Sequence, residues 1–367
     1  MSDRIDLGTR KGLFSYERRR SGWELVGQSF LGIQVPALLH HEGVLLAAVE
    51  HGHFGTKLHR SADAGVTWEE LAPPAYPEKP ADEPEILDPW RQVPVPWSLE
   101  KIWCLESAGR PGALWCGTLP GGLFRSEDHG TSWELVRSLW DRPERAKWAG
   151  GGYDWPGIHS ICVHPDDPAR VSVAISCGGV WNTRDEGATW SQGARGMRFD
   201  FVPEDQGGAD PEGQDPHRMV RCPAFPDRLW VQHHCMIYRS DNGAESWTEI
   251  AGVAPSAFGF AVAVHPKDPD TAWFVPAEKD EFRYPVDGRF VVTRTRDGGK
   301  SFEAIDRGLP EGKAWDLVYR HGLDVDESGD RLVMGSTTGG LWISENGGDD
   351  WKLITAHLPP IYCARFA

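Results

Sequence analysis

Histidines at matching offsets are the residues of this chain best suited to chemistry. His159 and His217 each stand six residues ahead of a proline, Pro165 and Pro223. His51 and His53 lie close together, and His233 and His234 are adjacent. Neutral imidazoles brought to one place can hold Zn²⁺, Mn²⁺, Fe²⁺ or Cu²⁺. A single imidazole can instead act as a general base near neutral pH. The expected working set is His159, His217 and His234, as metal ligands or as acid and base, with the carboxylates of Asp154 and Glu278 completing the site. Arg218 is the expected holder of an anionic substrate, and Trp97, Trp155, Tyr284 and His53 are its expected contacts. No HExxH or other tight ligand spacing joins these residues, so the fold must bring them together.

The elements that could do so are repeated. The phrase Ser/Thr-x-Asp-x-Gly-x-Ser/Thr-Trp runs from Ser61 to Trp68 and from Ser126 to Trp133, and recurs from Thr183 to Trp190. A degenerate copy spans Ser240 to Trp247, with Asn242 and Ala244 at the Asp and Gly places; Thr295 to Phe302 and Ser344 to Trp351 complete the set. A period of roughly 50–60 residues marks a repeat architecture. Each copy lies between strand-like runs, as Gly122-Leu123-Phe124 before and Trp133-Glu134-Leu135-Val136 after. This reads as strand, tight turn, strand. The Asp side chain accepts backbone N–H groups across the turn, the Gly adopts positive φ, and the Trp anchors the hairpin.

On these motifs the chain resembles the Asp-box (bacterial neuraminidase repeat) propellers, over nearly its whole length. That family includes sialidases, xyloglucanases, sortilin-type receptors and a photosystem II assembly factor. The resemblance implies a β-propeller and says little of function, because a fold hosts many functions. The expected fold is an all-β, seven-bladed propeller of four-stranded antiparallel blades, one domain over residues 1–367. Inner strands are expected at Val35–His40, Ile102–Glu106, Ile158–His164, Met219–Cys222, Phe260–His265 and Asp316–Arg320. A last inner strand, Ile361–Phe366, has no partners after it; Arg4–Thr9, Gly12–Tyr16 and Gly22–Val26 supply them from the N-terminus. A composite blade then closes the ring and hides its edge.

In this fold the turns of the repeated phrase share a face with short turns such as His164–Pro168 and His265–Pro269, where His164 and His265 read as structural. The opposite face carries long connections, Pro73–Glu100, Arg137–Gly157, Gly193–Pro216 and Ala277–Gly288. Loops that long usually carry function. They hold the candidate residues above and many aromatics, a stacking platform for a sugar or other flat ligand. They also hold Asp154, Asp200, Glu204, Asp205, Asp215, Glu278, Asp280 and Glu281, from which a two-carboxylate glycoside hydrolase could draw its pair. Other seven-bladed propellers offer analogies of architecture: axial histidines hold a metal in carotenoid-cleaving oxygenases, and streptogramin lyases use a histidine base. A sialidase is disfavoured, because the Arg-Ile-Pro segment is replaced by Arg10-Lys11-Gly12 and no spacing marks an arginine triad.

A net charge of −16 argues against nucleic acid and anionic membranes as partners. No signal peptide is visible and the seven cysteines lack metal-type spacing, so a cytoplasmic protein with buried thiols is expected. The expected function is an enzyme hydrolysing or eliminating a polar small molecule or glycan over the channel, with a His-bound divalent metal as its candidate cofactor. The alternatives are a carboxylate-pair glycosidase and a non-catalytic scaffold that binds a protein or glycan.

Overall fold

The computed structural model describes residues 1–367. Seven four-stranded antiparallel sheets form a ring, each a simple meander from the inner strand outward. The seventh blade joins the termini. Ile361–Phe366 pairs with Arg4–Thr9, which continues into Gly12–Arg19 and Gly22–Ser29. No helix is long and apolar enough to cross a membrane.

Aromatic and branched side chains pack between neighbouring blades. Trp115, Trp181, Trp230 and Trp273 are fully buried there. Each such burial contributes on the order of 2–3 kcal/mol relative to exposure.

The repeated phrase forms the outer hairpin turns. In the second copy Asp128 Oδ1 accepts the Ser132 N–H at 2.8 Å, and its Oδ2 accepts the Ser132 hydroxyl at 2.6 Å. The Trp133 indole N–H closes the turn on the Gly130 carbonyl at 3.1 Å. The backbone needs two successive left-handed residues here: His129 at φ 57° and Gly130 at 81°, or Gly243 at 72° and Ala244 at 67° in the degenerate copy. Asn242 and Asn346 do the carboxylate's work in two copies, accepting the Ser246 and Asp350 N–H groups at 3.1 and 3.2 Å.

Asp128→Ala is expected to lower Tm by a few degrees and Asp128→Asn by less, with activity falling no faster than folded protein in a thermal melt. A selective loss of activity at unchanged Tm would contradict a structural role. The hydrogen bonds from Thr67 hold the Asp63 carboxyl down to about 2 from an ordinary 3.8. A depressed carboxyl stabilises the fold above its unfolded value, and that contribution is lost as pH falls from about 4 toward 2.

Most expected strands are present, Ile158–His164 and Ile361–Phe366 with the same bounds. The inner strand of the sixth blade is a correction: it is Leu323–Val325, not Asp316–Arg320. Leu317 and Val318 are buried in loop backbone, and Asp316 accepts the Ser336 hydroxyl at 2.7 Å. Burial mimicked a strand pattern while the ladder began at the next residues. The displaced segment delivers Arg320 and His321 to the mouth of the channel.

Candidate active site

Antiparallel meanders place the long loops on the face opposite the repeated turns. Over that face lies a cavity of about 760 Å³, lined by Trp90, Phe199, Phe201 and Phe260 among apolar groups, and by Asp215, His217, His234, Asp280, Arg283 and Arg320. It adjoins a second of about 240 Å³ over the channel, lined by Trp103, Tyr153, Tyr319 and Tyr362; Gly152, Phe260, Arg283 and Arg320 border both.

Local strand irregularity aims the side chains. Register shifts leave His159 and His217 unpaired at the tops of their inner strands, between Ile158 and Ser160 and between Pro216 and Arg218. Such bulges re-aim a side chain. Asp215 and His217 are two residues apart, the spacing that puts extended-chain side chains on one side.

Asp215, His217 and His234 converge. Asp215 Oδ2 lies 3.4 Å from His217 Nε2 and 3.4 Å from His234 Nδ1. All three ligand atoms lie within 4.8 Å of one another. The remaining atoms of the cluster are used up. His217 Nδ1–H donates to the Gly259 carbonyl at 2.6 Å. Asp215 Oδ1 accepts the Cys177 N–H at 3.1 Å and the Ser176 hydroxyl at 3.2 Å. His234 Nε2 faces Asp280 Oδ2 at 3.4 Å.

The electrostatics follow from burial and neighbours. Burial opposes ionisation of Asp215, but the contacts with His217 and His234 and the charge of Arg320 outweigh it and hold the carboxyl well below its usual range. Burial pushes the His217 imidazole below its ordinary value, and the Asp215 carboxylate works against that. Burial also lowers His234, but Asp215 and Asp280 outweigh that and raise it.

With Nδ1–H committed to Gly259, the neutral form of His217 would turn a lone pair toward a carboxylate oxygen. A charge-assisted hydrogen bond there would measure about 2.7–2.9 Å. The observed 3.4 Å instead matches the edge of a tetrahedron of ligands about 2.0–2.1 Å from one ion, which is roughly 3.3–3.4 Å. A backbone carbonyl behind one imidazole and a carboxylate behind the other is the outer-shell support that metal-bound histidines have.

The other expected site residues lie elsewhere. His159 is fully buried outside this cluster, its Nδ1 2.9 Å from the Ser160 hydroxyl and its ring against Trp103 at 5.3 Å. Asp215 takes the third place in its stead. Arg218, the next residue after His217, faces a separate cavity toward the opposite mouth of the channel. Asp154 is exposed and paired with Arg91 at 3.0 Å, and Glu278 is exposed outside the cavity lining. Trp97 packs edge-on against Trp140 at 5.3 Å and donates its indole N–H to Pro77. Trp155 and Tyr284 are half-buried and His53 is exposed, all three outside the lining of both cavities. His164 and His265 accept turn N–H groups through Nδ1 on the opposite face.

The sequence motifs do not mark Arg320, which falls in the expected strand Asp316–Arg320. The loop Gly150-Gly151-Gly152 was the available signal: a Cβ on Gly151 would sit 3.1 Å from Asp215 Oδ2, and one on Gly152 2.8 Å from Arg320 Nη2. Only glycine lets the loop backbone approach both groups.

The chain matches no protein-family model. It is 26% identical over 274 residues to a probable oligoxyloglucan-reducing end-specific xyloglucanase of Neosartorya fischeri, covering 66% of this chain and 30% of that protein. The chain thus spans under a third of the length of that curated relative. In three dimensions it is similar to a GH74 xyloglucanase from Xanthomonas campestris, with a TM-score of 0.65 at 16% identity, covering 96% of this chain and 52% of the other. It is also similar to a periplasmic gluconolactonase of Pseudomonas aeruginosa, with a TM-score of 0.61 at 11% identity, covering 99% and 98%. The chain is an all-β seven-bladed propeller that shares its architecture with these enzymes.

Proposed function

We propose that this chain is a hydrolase for a sugar-like substrate, with its catalytic centre at Asp215, His217 and His234. The observation that carries this reading is the meeting of one carboxylate oxygen and two imidazole nitrogens, each 3.4 Å from that oxygen, in the lining of a cavity of about 760 Å³. Asp215, His217 and His234 would hold a divalent transition metal, whose chemistry when bound is Lewis-acid polarisation of a substrate oxygen or activation of water.

The chain's own residues do the rest. The Gly259 carbonyl fixes the His217 ring, and Asp280 fixes His234. Asp280 lines the same cavity with 44% of its side chain exposed. Its carboxylate is placed to take a proton from an attacking water and return it to the leaving oxygen as the C–O bond breaks. Trp90, Phe199 and Phe201 supply faces on which a pyranose ring can stack. Similarity to a probable oligoxyloglucan-reducing end-specific xyloglucanase supports a glycan as the substrate class.

A second reading rests on one observation: Asp215 and Asp280 flank the same imidazole and both line the cavity. As a carboxylate pair they could hydrolyse a glycoside without metal.

A panel of p-nitrophenyl glycosides and sugar lactones, assayed before and after dialysis against a strong chelator, separates the two. The metal reading expects hydrolysis that falls at least about tenfold on chelation and returns with Zn²⁺ or Mn²⁺. Hydrolysis indifferent to chelation supports the carboxylate pair and contradicts the metal reading.

A further inference from the structure

Arg320 is a buried cation without a partner. Its side chain lies at the border of the two cavities, with a residue exposure of 7%, and its Nε and Nη2 meet no hydrogen-bond acceptor. Most arginines of this chain are satisfied: Arg365 pairs with Glu106 at 2.7 Å across the channel, and Arg294 with Asp349 at 2.6 Å. A buried guanidinium without a carboxylate in contact is costly, and natural folds give such groups a counter-ion. Asp215 is near enough to feel its charge, yet that carboxylate is occupied by His217, His234, Ser176 and the Cys177 N–H.

The surroundings specify the shape of the missing partner. The Arg320 guanidinium sits 5.0 Å from the Trp103 ring centre and 5.3 Å from that of Phe260. These rings offer the guanidinium cation–π contact but no acceptor for its N–H groups. Gly152 brings bare backbone against that group. Arg283, exposed at the rim, adds a second positive charge and borders the same two cavities. Tyr153, Tyr319 and Tyr362 line the adjoining space with aromatic faces and hydroxyls.

We propose that Arg320, assisted by Arg283, binds a carboxylate group of the substrate, so that the substrate is an acidic sugar rather than a neutral glycan. A planar carboxylate accepts two parallel N–H bonds from one guanidinium edge. Its single charge matches that of the Arg320 guanidinium. A phosphoryl group would bring a second charge and a third terminal oxygen, which would fall to Arg283, exposed at the rim, and to the tyrosine hydroxyls. The inference rests on reading this face as the catalytic one, but its test does not depend on turnover.

Binding of D-glucuronate, D-galacturonate, D-glucose and inorganic phosphate to the full-length protein tests it, by titration calorimetry or ligand-observed NMR at low ionic strength. The expected result is that a hexuronate binds while glucose does not, and that Arg320→Met weakens hexuronate binding at least about tenfold. Arg320→Lys restores only part of it, because an ammonium lacks the fork. The Tm of Arg320→Met is expected to equal or exceed that of the parent, since a buried unpaired charge has been removed. Equal binding of glucose, unchanged binding by Arg320→Met, or phosphate in preference to hexuronate would each overturn the assignment, as would a Tm several degrees lower in Arg320→Met. His217→Ala separates this inference from the catalytic reading: it is expected to keep hexuronate binding while losing hydrolysis. Retained hydrolysis in that variant would sink the catalytic reading and leave the Arg320 subsite standing.

Discussion

His217→Ala is expected to lower kcat/KM by at least about a thousandfold while the protein stays folded. The imidazole is 3% exposed and sits at a strand irregularity rather than in the ladder, so its removal breaks no strand pairing. What is lost is one of three groups converging on a point, the hydrogen bond to the Gly259 carbonyl, and the ring's stack on Phe260 at 4.5 Å. The orphaned carbonyl and the small void cost about 1–3 kcal/mol, a modest part of the stability of a fold this size. The charge imbalance matters more for function. Without His217, Asp215 Oδ2 retains only His234 as a partner. A control on the opposite face sharpens the measurement. His164 accepts the Asp166 N–H at 3.2 Å in a short turn, so His164→Ala should shift Tm and spare kcat/KM. Equal loss of activity in both variants, tracking loss of folded protein, would mean that His217 is structural.

The second large effect concerns ring closure. Deleting Ile361–Ala367 is expected to abolish the cooperative unfolding transition, not merely to lower its midpoint. Ile361, Cys363 and Ala364 are buried, and their strand pairs with Arg4–Thr9 and carries Arg365 to Glu106 in the second blade. Removing it uncovers an inner edge strand on one side and the apolar flank of the sixth blade on the other. Losing these burials together costs on the order of 10 kcal/mol, comparable to the whole stability of a typical domain. Circular dichroism melts and size-exclusion chromatography read this directly, with aggregation as the expected companion. A truncated chain that stays monomeric and melts cooperatively would contradict closure by the composite blade.

These two effects differ in how much of each the sequence announced. The composite blade was legible because strand-like runs at both termini lacked partners, and a ring supplies only one way to pair them. The turns were legible because their chemistry is local. Ser126, Asp128, Gly130 and Ser132 lie within seven residues and need no distant neighbour to do their work. The site was legible only in part. His217 and His234 do meet, but His159 occupies the matching place one blade earlier and turns into buried contact with Trp103. Equivalent positions in successive blades share a backbone address, while the aim of each side chain depends on its own bulge and neighbours. Arg218 shows the same sensitivity to register: one residue beyond His217, it faces the opposite mouth of the channel. Asp215 was visible among the loop carboxylates. Its spacing from His217 was the clue that distinguished it from Asp154, which stays in solvent beside Arg91. Arg320 was hidden by an apolar run that is buried without being a strand.

Metal stoichiometry tests the central claim most directly. The protein would be purified without an affinity tag, loaded with a slight excess of Zn²⁺ or Mn²⁺, desalted and analysed by plasma mass spectrometry, beside Asp215→Asn, His217→Ala and His159→Ala. The account predicts about one ion per chain in the parent and in His159→Ala, and a loss of at least about tenfold in occupancy for the two variants of the cluster. An empty parent protein, or an ion retained by His217→Ala, would contradict it.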